Sequence, residues 1–179
     1  MSFDLSENSL EGAIPYYFGN ISFLEVLDLT LNHLNSSIPN SLYSLNRLQF
    51  LSRSENQLQG TISRAIGNLS SITHLDLCSN FMLEGRLPTS LEYFKNLAYL
   101  SLARNKIFGP IQLSIGELSS LKFFDVSENQ LNGTFPLCFG QLESLETLDF
   151  GYNLLEGVVL ETHFSNLTRL TTLKASHNI

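Results

Sequence analysis

Apolar positions along this chain come in short alternating bursts, and the bursts repeat. Eight asparagines (Asn8, Asn32, Asn56, Asn80, Asn105, Asn129, Asn153 and Asn178) recur at intervals of 24 or 25 residues. Aligned on them, the copies read Leu-x-x-Leu-x-Leu-x-x-Asn-x-Leu-x-Gly-x-Ile-Pro, as in "LEVLDLTLNHLNSSIP" from Leu24. A tail with the pattern Leu-Gly-x-Leu-x-x-Leu follows, as in "AIGNLSSI" (65–72) and "SIGELSSL" (114–121). Leu-x-Leu alternation predicts a short strand with its leucines on one face. A lone strand cannot bury that face, but stacked coils bury a continuous core. The repeated Asn stands where the chain leaves the strand, and its amide can satisfy backbone groups of neighbouring coils. The Gly after Leu-x permits a tight bend. Pro15, Pro39, Pro88 and Pro136 hold the next segment extended. The Leu-Gly-x-Leu stretch predicts a 3₁₀ or irregular turn on the convex side.

The expected fold is therefore one solenoid over residues 1–179, of about 7.5 repeats. Its parallel strands form a concave face, and both ends lack a cap. Eight strands spaced about 4.8 Å apart would form an arc roughly 34 Å long.

Two insertions break the period. "NFMLEGRLP" (80–88) carries one extra residue, and "GVVLETHFSNLTRL" (157–170) lengthens the convex segment without its Pro. One position also breaks the hydrophobic pattern. The inward column Leu5, Leu29, Arg53, Leu77, Leu102, Val126, Phe150 and Ala175 contains a single charge. No inward neighbour of Arg53 is acidic, so its stem is expected to snorkel toward solvent at the strand end. Ser63 replaces Pro in that same repeat, which is expected to be the weakest coil.

Charge sharpens the picture. The outward strand columns and the column preceding each ladder Asn hold ten acidic and three basic residues. Those thirteen account for −7, the net charge of the whole chain. The acidity thus lies on one face, which argues against nucleic acid and favours a basic peptide or protein ligand. Asp76, Asp125 and Asp149 stand in one outward row, and Phe50, His74, Tyr99 and Phe123 in the next. Arg104 and Tyr152 sit in the column before the ladder Asn. These nine are the candidate ligand-surface residues. An Asp row is also the common spelling of such a repeat, with solubility as its whole role.

Catalytic and metal chemistry find no constellation. His33, His74, His163 and His177 lie in separate repeats or on separate faces, and no cofactor or metal is expected. Carboxylates in adjacent strands, such as Asp125 with Asp149, lie on an open surface that would shift their pKa values little, so the chain is not expected to be an enzyme. Cys78 (concave) and Cys138 (convex, expected buried) are too far apart to pair. No apolar run reaches the length of a bilayer span, and the N-terminus does not read as a secretory signal. Five sequons begin at Asn20, Asn35, Asn68, Asn132 and Asn166, on the convex turn or the flank. Sugars there would leave the concave face open, consistent with a secretory history.

The repeat is that of plant-type leucine-rich repeat proteins, and the likeness covers nearly the whole chain. "GVVLETHFSNLT" within the second insertion resembles a segment inside the ectodomains of plant receptor-like proteins, the kinase-lacking leucine-rich repeat receptors. That resemblance implies an internal slice of a cell-surface receptor that senses an extracellular peptide, protein or glycan in defence or development. The family signals through partner receptor kinases, with the non-repeat island and late repeats contributing; those parts are expected to be missing here, as are the cysteine-paired cap and the membrane helix. Two alternatives stay open. One is a protein similar to the polygalacturonase inhibitors, binding a secreted hydrolase. The other is a standalone, cytoplasmic scaffold that self-associates end to end.

Overall fold

The computed structural model describes residues 1–179, and its elements follow the repeat. Eight three-residue strands, from Ser2–Asp4 through Thr172–Lys174, form one parallel sheet in chain order. Pairing is in register with the repeat, as in Phe50↔His74 and Phe123↔Thr147. Seven 3₁₀ turns, from Tyr16–Asn20 to Glu161–His163, line the convex side. Between the two runs a second parallel sheet that the sequence reading did not anticipate. It joins Gln59–Thr61, Met82–Gly85, Lys106–Gly109, Gln130–Thr134 and Leu154–Glu156, with Glu11–Gly12 and His33–Leu34 pairing separately. Its cause is the Leu-x-Gly stretch, which runs extended for two to five residues in every coil and so meets its copy next door. The glycines there sit at φ between +77° and +94°, backbone that side chains seldom adopt. A 41-residue apolar cluster fills the space between the sheets and the turns.

The ladder asparagines hold coil to coil. The Nδ2 group of Asn56 donates to the carbonyls of Leu29 (2.9 Å) in the preceding coil and Ser54 (3.0 Å) in its own. Its Oδ1 accepts from the Leu34 N–H at 3.0 Å. The same rung joins Leu10 to Asn32, Leu58 to Asn80, Ile107 to Asn129, Leu131 to Asn153 and Leu155 to Asn178. One rung is missing. At the single-residue insertion the Leu83 N–H turns back to the Asn80 carbonyl at 2.8 Å, and the buried Oδ1 of Asn105 has no partner. Convex packing is equally strict. A Cβ on Gly67 would lie 2.8 Å from the Ser90 carbonyl oxygen, so this column favours Gly.

Arg53 corrects an expectation. It does not snorkel: it is fully buried, and its three guanidinium nitrogens have no hydrogen-bond partner. The neighbouring coil explains why it is trapped. Tyr43 occupies the Gly column there and is itself buried, with a hydroxyl that lacks a partner. Burial pulls the Arg53 guanidinium down to about 9 and pushes the Tyr43 phenol up to about 12. Ser63, in the Pro column of the same coil, instead accepts from the Ala65 N–H through its Oγ at 3.2 Å. A second correction concerns Cys138, which is half-buried rather than buried; both cysteines are free. The long insertion packs against the core. His163 is buried, with Nδ1 accepting from the Leu160 N–H (2.9 Å) and Nε2 donating to the Phe135 carbonyl (3.0 Å).

Two stability outcomes follow. Asn56→Ala strands the buried Leu34 N–H, while the Leu29 and Ser54 carbonyls keep their bonds from Asn32 Nδ2 and the Leu31 N–H, so chemical denaturation should show a loss of about 1–3 kcal/mol. Arg53→Leu should instead raise stability at pH 7 by about 2–4 kcal/mol, since it removes an unpaired buried charge. Because the folded-state pKa of Arg53 lies below its unfolded value, the folded chain carries the full charge penalty below about pH 9 and sheds it above. The advantage of Arg53→Leu over the parent should therefore be largest at pH 7 and smaller at pH 10.

Candidate functional site on the concave sheet

Every outward concave residue owes its place to the strand period of two. Leu75, Leu100 and Phe124 point into the core, so their neighbours on both sides face out. Parallel, in-register pairing then sets like positions one strand apart. This brings Phe50, His74, Tyr99 and Phe123 into one continuous stack. Successive ring centroids are 4.3, 4.1 and 4.4 Å apart, and the planes differ by 13°, 9° and 4°. The consequence differs from a row of anchors. Rings packed face to face show solvent only their edges, which carry the positive part of the ring quadrupole. At the ends of the stack, Phe50 and Phe123 stand beside Val26 and Thr147 of the next strands. Tyr152 and His177 make a shorter stack on the rim, 4.2 Å apart.

The aspartates run alongside. Each commits one carboxylate oxygen to the turn after its strand. Asp76 Oδ1 accepts from the Cys78 N–H at 3.0 Å, Asp125 Oδ1 from the Ser127 N–H at 2.9 Å, and Asp149 Oδ1 from the Gly151 N–H at 3.1 Å. Hence the Asp in this column has a structural use in each of the five coils that carry it, closing the strand exit. The second oxygen is left over. In Asp149 it meets Lys174 at 3.3 Å, while Asp76 and Asp125 form no ion pair. Arg104, on the rim, pairs with Glu128 at 3.0 Å.

Burial makes this strip less aqueous than an open surface. It pushes Tyr99 up to about 12, helped by the charge of Asp76, and Cys78 up to about 11. Asp125 is also raised, by burial first and by Asp149 next, although the Ser127 hydrogen bonds oppose this. His74 is lowered by burial, against the pull of Asp76 and Asp28. A Cys78 thiol raised this far is a poor nucleophile at neutral pH. The face offers fixed negative charge, a rigid flat strip and carboxylate acceptors, which is the chemistry of recognition.

Of the nine sequence candidates, eight lie on or beside this strip: the four stacked rings, the three aspartates and Arg104. Tyr152 stands apart with His177. The five sequon asparagines are all exposed and lie off the concave strands. Sequence reasoning passed over Phe81, which is 62% exposed at the concave rim. The 25-residue interval from Asn80 to Asn105 is the signal that marks it. No helix is long and apolar enough to cross a membrane.

The comparisons agree with this architecture. Leucine rich repeat family models match residues 114–178 and 23–45. No curated protein sequence matches. Among solved structures, the plant peptide hormone receptor RGFR1 in complex with RGF2 superposes with a TM-score of 0.96 at 33% identity, over 99% of this chain and 28% of that one. The Arabidopsis receptor kinase HAESA, in complex with the peptide hormone IDA and the co-receptor SERK1, gives 0.94 at 34%, over 99% and 29%. This chain thus spans less than a third of either receptor. The ectodomain of the Arabidopsis receptor kinase SOBIR1 is 32% identical, with a TM-score of 0.68, over 73% of this chain and 70% of its own. The chain belongs to the leucine-rich repeat family, in the plant-type form that builds receptor ectodomains.

Proposed function

We propose that this chain is the ligand-recognition part of a plant cell-surface receptor, and that its concave sheet binds an extended, basic peptide segment. The observation that carries the reading is the concentration of charge. Residues of the concave columns account for the full −7 of the chain, beside a rigid strip of four stacked rings. Fixed acids on a low-mobility surface steer a cationic partner and hold it in register. Two structural neighbours, the peptide hormone receptor RGFR1 with RGF2 and HAESA with the peptide hormone IDA, hold ligands of this kind, which supports the same use here. A kinase-lacking receptor-like protein is the form we favour, on the segment around "ETHFSNLT". The exposed sequon asparagines off the concave face fit glycosylation outside the cell.

Binding of a fluorescein-labelled decapeptide of alternating lysine and serine, read by anisotropy, tests the proposal. Affinity should fall steeply with salt and drop about tenfold in the double substitution Asp76→Asn with Asp125→Asn. Reversing convex charges at Arg64 and Lys95 should leave it unchanged. Equal affinity for an alternating glutamate–serine peptide would overturn the reading. Acid should also weaken binding. The His74 pKa lies below its usual 6.5, so the ring gains its charge only as pH falls below that value, placing a cation in the acidic strip. Affinity for the lysine peptide should hold from pH 8 to 6.5 and decline toward pH 5, and His74→Phe should flatten that decline.

A further inference from the structure

The single-residue insertion at 80–88 builds something the other repeats lack. A groove of about 510 Å³ runs along the rim where the concave sheet meets the second sheet, over the coils containing Asn32, Asn56, Asn80 and Asn105. It is about 14 Å long, from three strand spacings. One wall is the column before the ladder, with Leu31, Glu55, Ser79 and Arg104 at φ of 52–55°. The opposite wall is His33, Gln57 and the protruding ring of Phe81. Phe81 is the added residue, and it makes the groove's aromatic wall.

Charge within the groove is asymmetric. Arg104 is neutralised by Glu128, whereas Glu55 is exposed and forms no ion pair. Gln57 and Ser79 add further acceptors. The bulge that carries Phe81 also closes on itself. Leu83 makes its bond back to Asn80 instead of forward, and Asn105 Oδ1, 93% buried by residue, faces the bulge with its acceptor unmet. An exposed ring beside an unpaired carboxylate calls for a cationic ligand with an apolar stem. An arginine or lysine side chain has that form, its methylenes lying on Phe81 and its cationic head on Glu55.

The geometry points to this rim groove as a subsite for one cationic side chain of the bound peptide, created by the Phe81 insertion. The inference rests on the basic-peptide reading and assigns one contact within it. Nα-acetyl-arginine amide, too short to span the concave strip, is the probe, with the neutral citrulline analogue as control. Two-dimensional NMR should show saturable shifts in the Gln57 side-chain amide and the Ser79 and Arg104 backbone amides with the arginine probe alone. Glu55→Gln should weaken it at least fivefold.

Deletion of Phe81 is the decisive variant. It returns the interval to 24 residues and lets the shortened coil donate its rung to Asn105 Oδ1, so melting temperature should rise while probe binding disappears. Phe81→Ala, at an exposed position, should weaken the probe several-fold without loss of stability. The inference is overturned if the arginine probe gives no saturable shift, or binds the deletion variant as well as the parent. It is equally overturned if the neutral trisaccharide cellotriose, rather than arginine, moves those signals. Decapeptide binding that keeps its dependence on Asp76 and Asp125 while the groove stays silent would sink the subsite alone. Loss of both would remove the basic-peptide reading with it.

Discussion

A buried primary amide is the interaction on which the rest of this structure depends. Each ladder Asn must leave the strand, cross to the preceding coil and return, satisfying backbone groups that two turning segments would otherwise bury without partners. Few side chains carry two donors and an acceptor at that reach. The alternatives fail for distinct reasons: Asp lacks the donors, Gln is one methylene too long, and Ser supplies one hydrogen. Once the amides fix the coil spacing, the leucines stack in register, and the outward residues inherit the same spacing without further instruction. The concave site is a by-product of the ladder.

That dependence explains what was legible from sequence. A period of 24, the strand alternation and the Pro–Gly punctuation are each set by one coil meeting its own copy, so a single repeat read eight times reveals them. The second sheet was less visible. Its strands have no alternation longer than Leu-x-Gly, and their pairing comes from the stacking itself. The aromatic row could be placed, but not the orientation of its rings. Stacking 4.1–4.4 Å apart follows from the strand spacing only when each ring adopts the same rotamer, which no one-dimensional pattern encodes. The aspartates raised the opposite difficulty. Their repetition invited a functional reading, whereas in each strand one oxygen closes the turn and only the second is free for a ligand.

Arg53 was misread for a physical reason of the same kind. Snorkelling needs a route to water, and the route depends on what the next coil places at the convex turn. Tyr43 stands where sibling coils carry Gly, and it closes that side of the core. The charge and the unpartnered phenol are therefore one defect shared by two coils, and Ser63 belongs to the same coil as Arg53. A column-by-column reading sees three separate substitutions, while the fold sees a single site.

A solenoid can tolerate such a defect because each coil touches only its neighbours, so the penalty does not spread. A globular core of the same size would distribute the strain of an unpaired guanidinium over many contacts. Here Tyr43, Arg53, Ser63 and the Phe81 bulge fall in adjacent coils between residues 43 and 81, the longer insertion stands apart at 157–170, and the regular coils from Leu102 to Asn153 lie between them. The rim groove opens where regularity fails, since an unbroken ladder would leave no bulge to wall it. In the proposed reading the regular copies hold the arc in shape and carry much of the acidic strip, and the irregular coil adds the one feature that a periodic surface would repeat along its whole length.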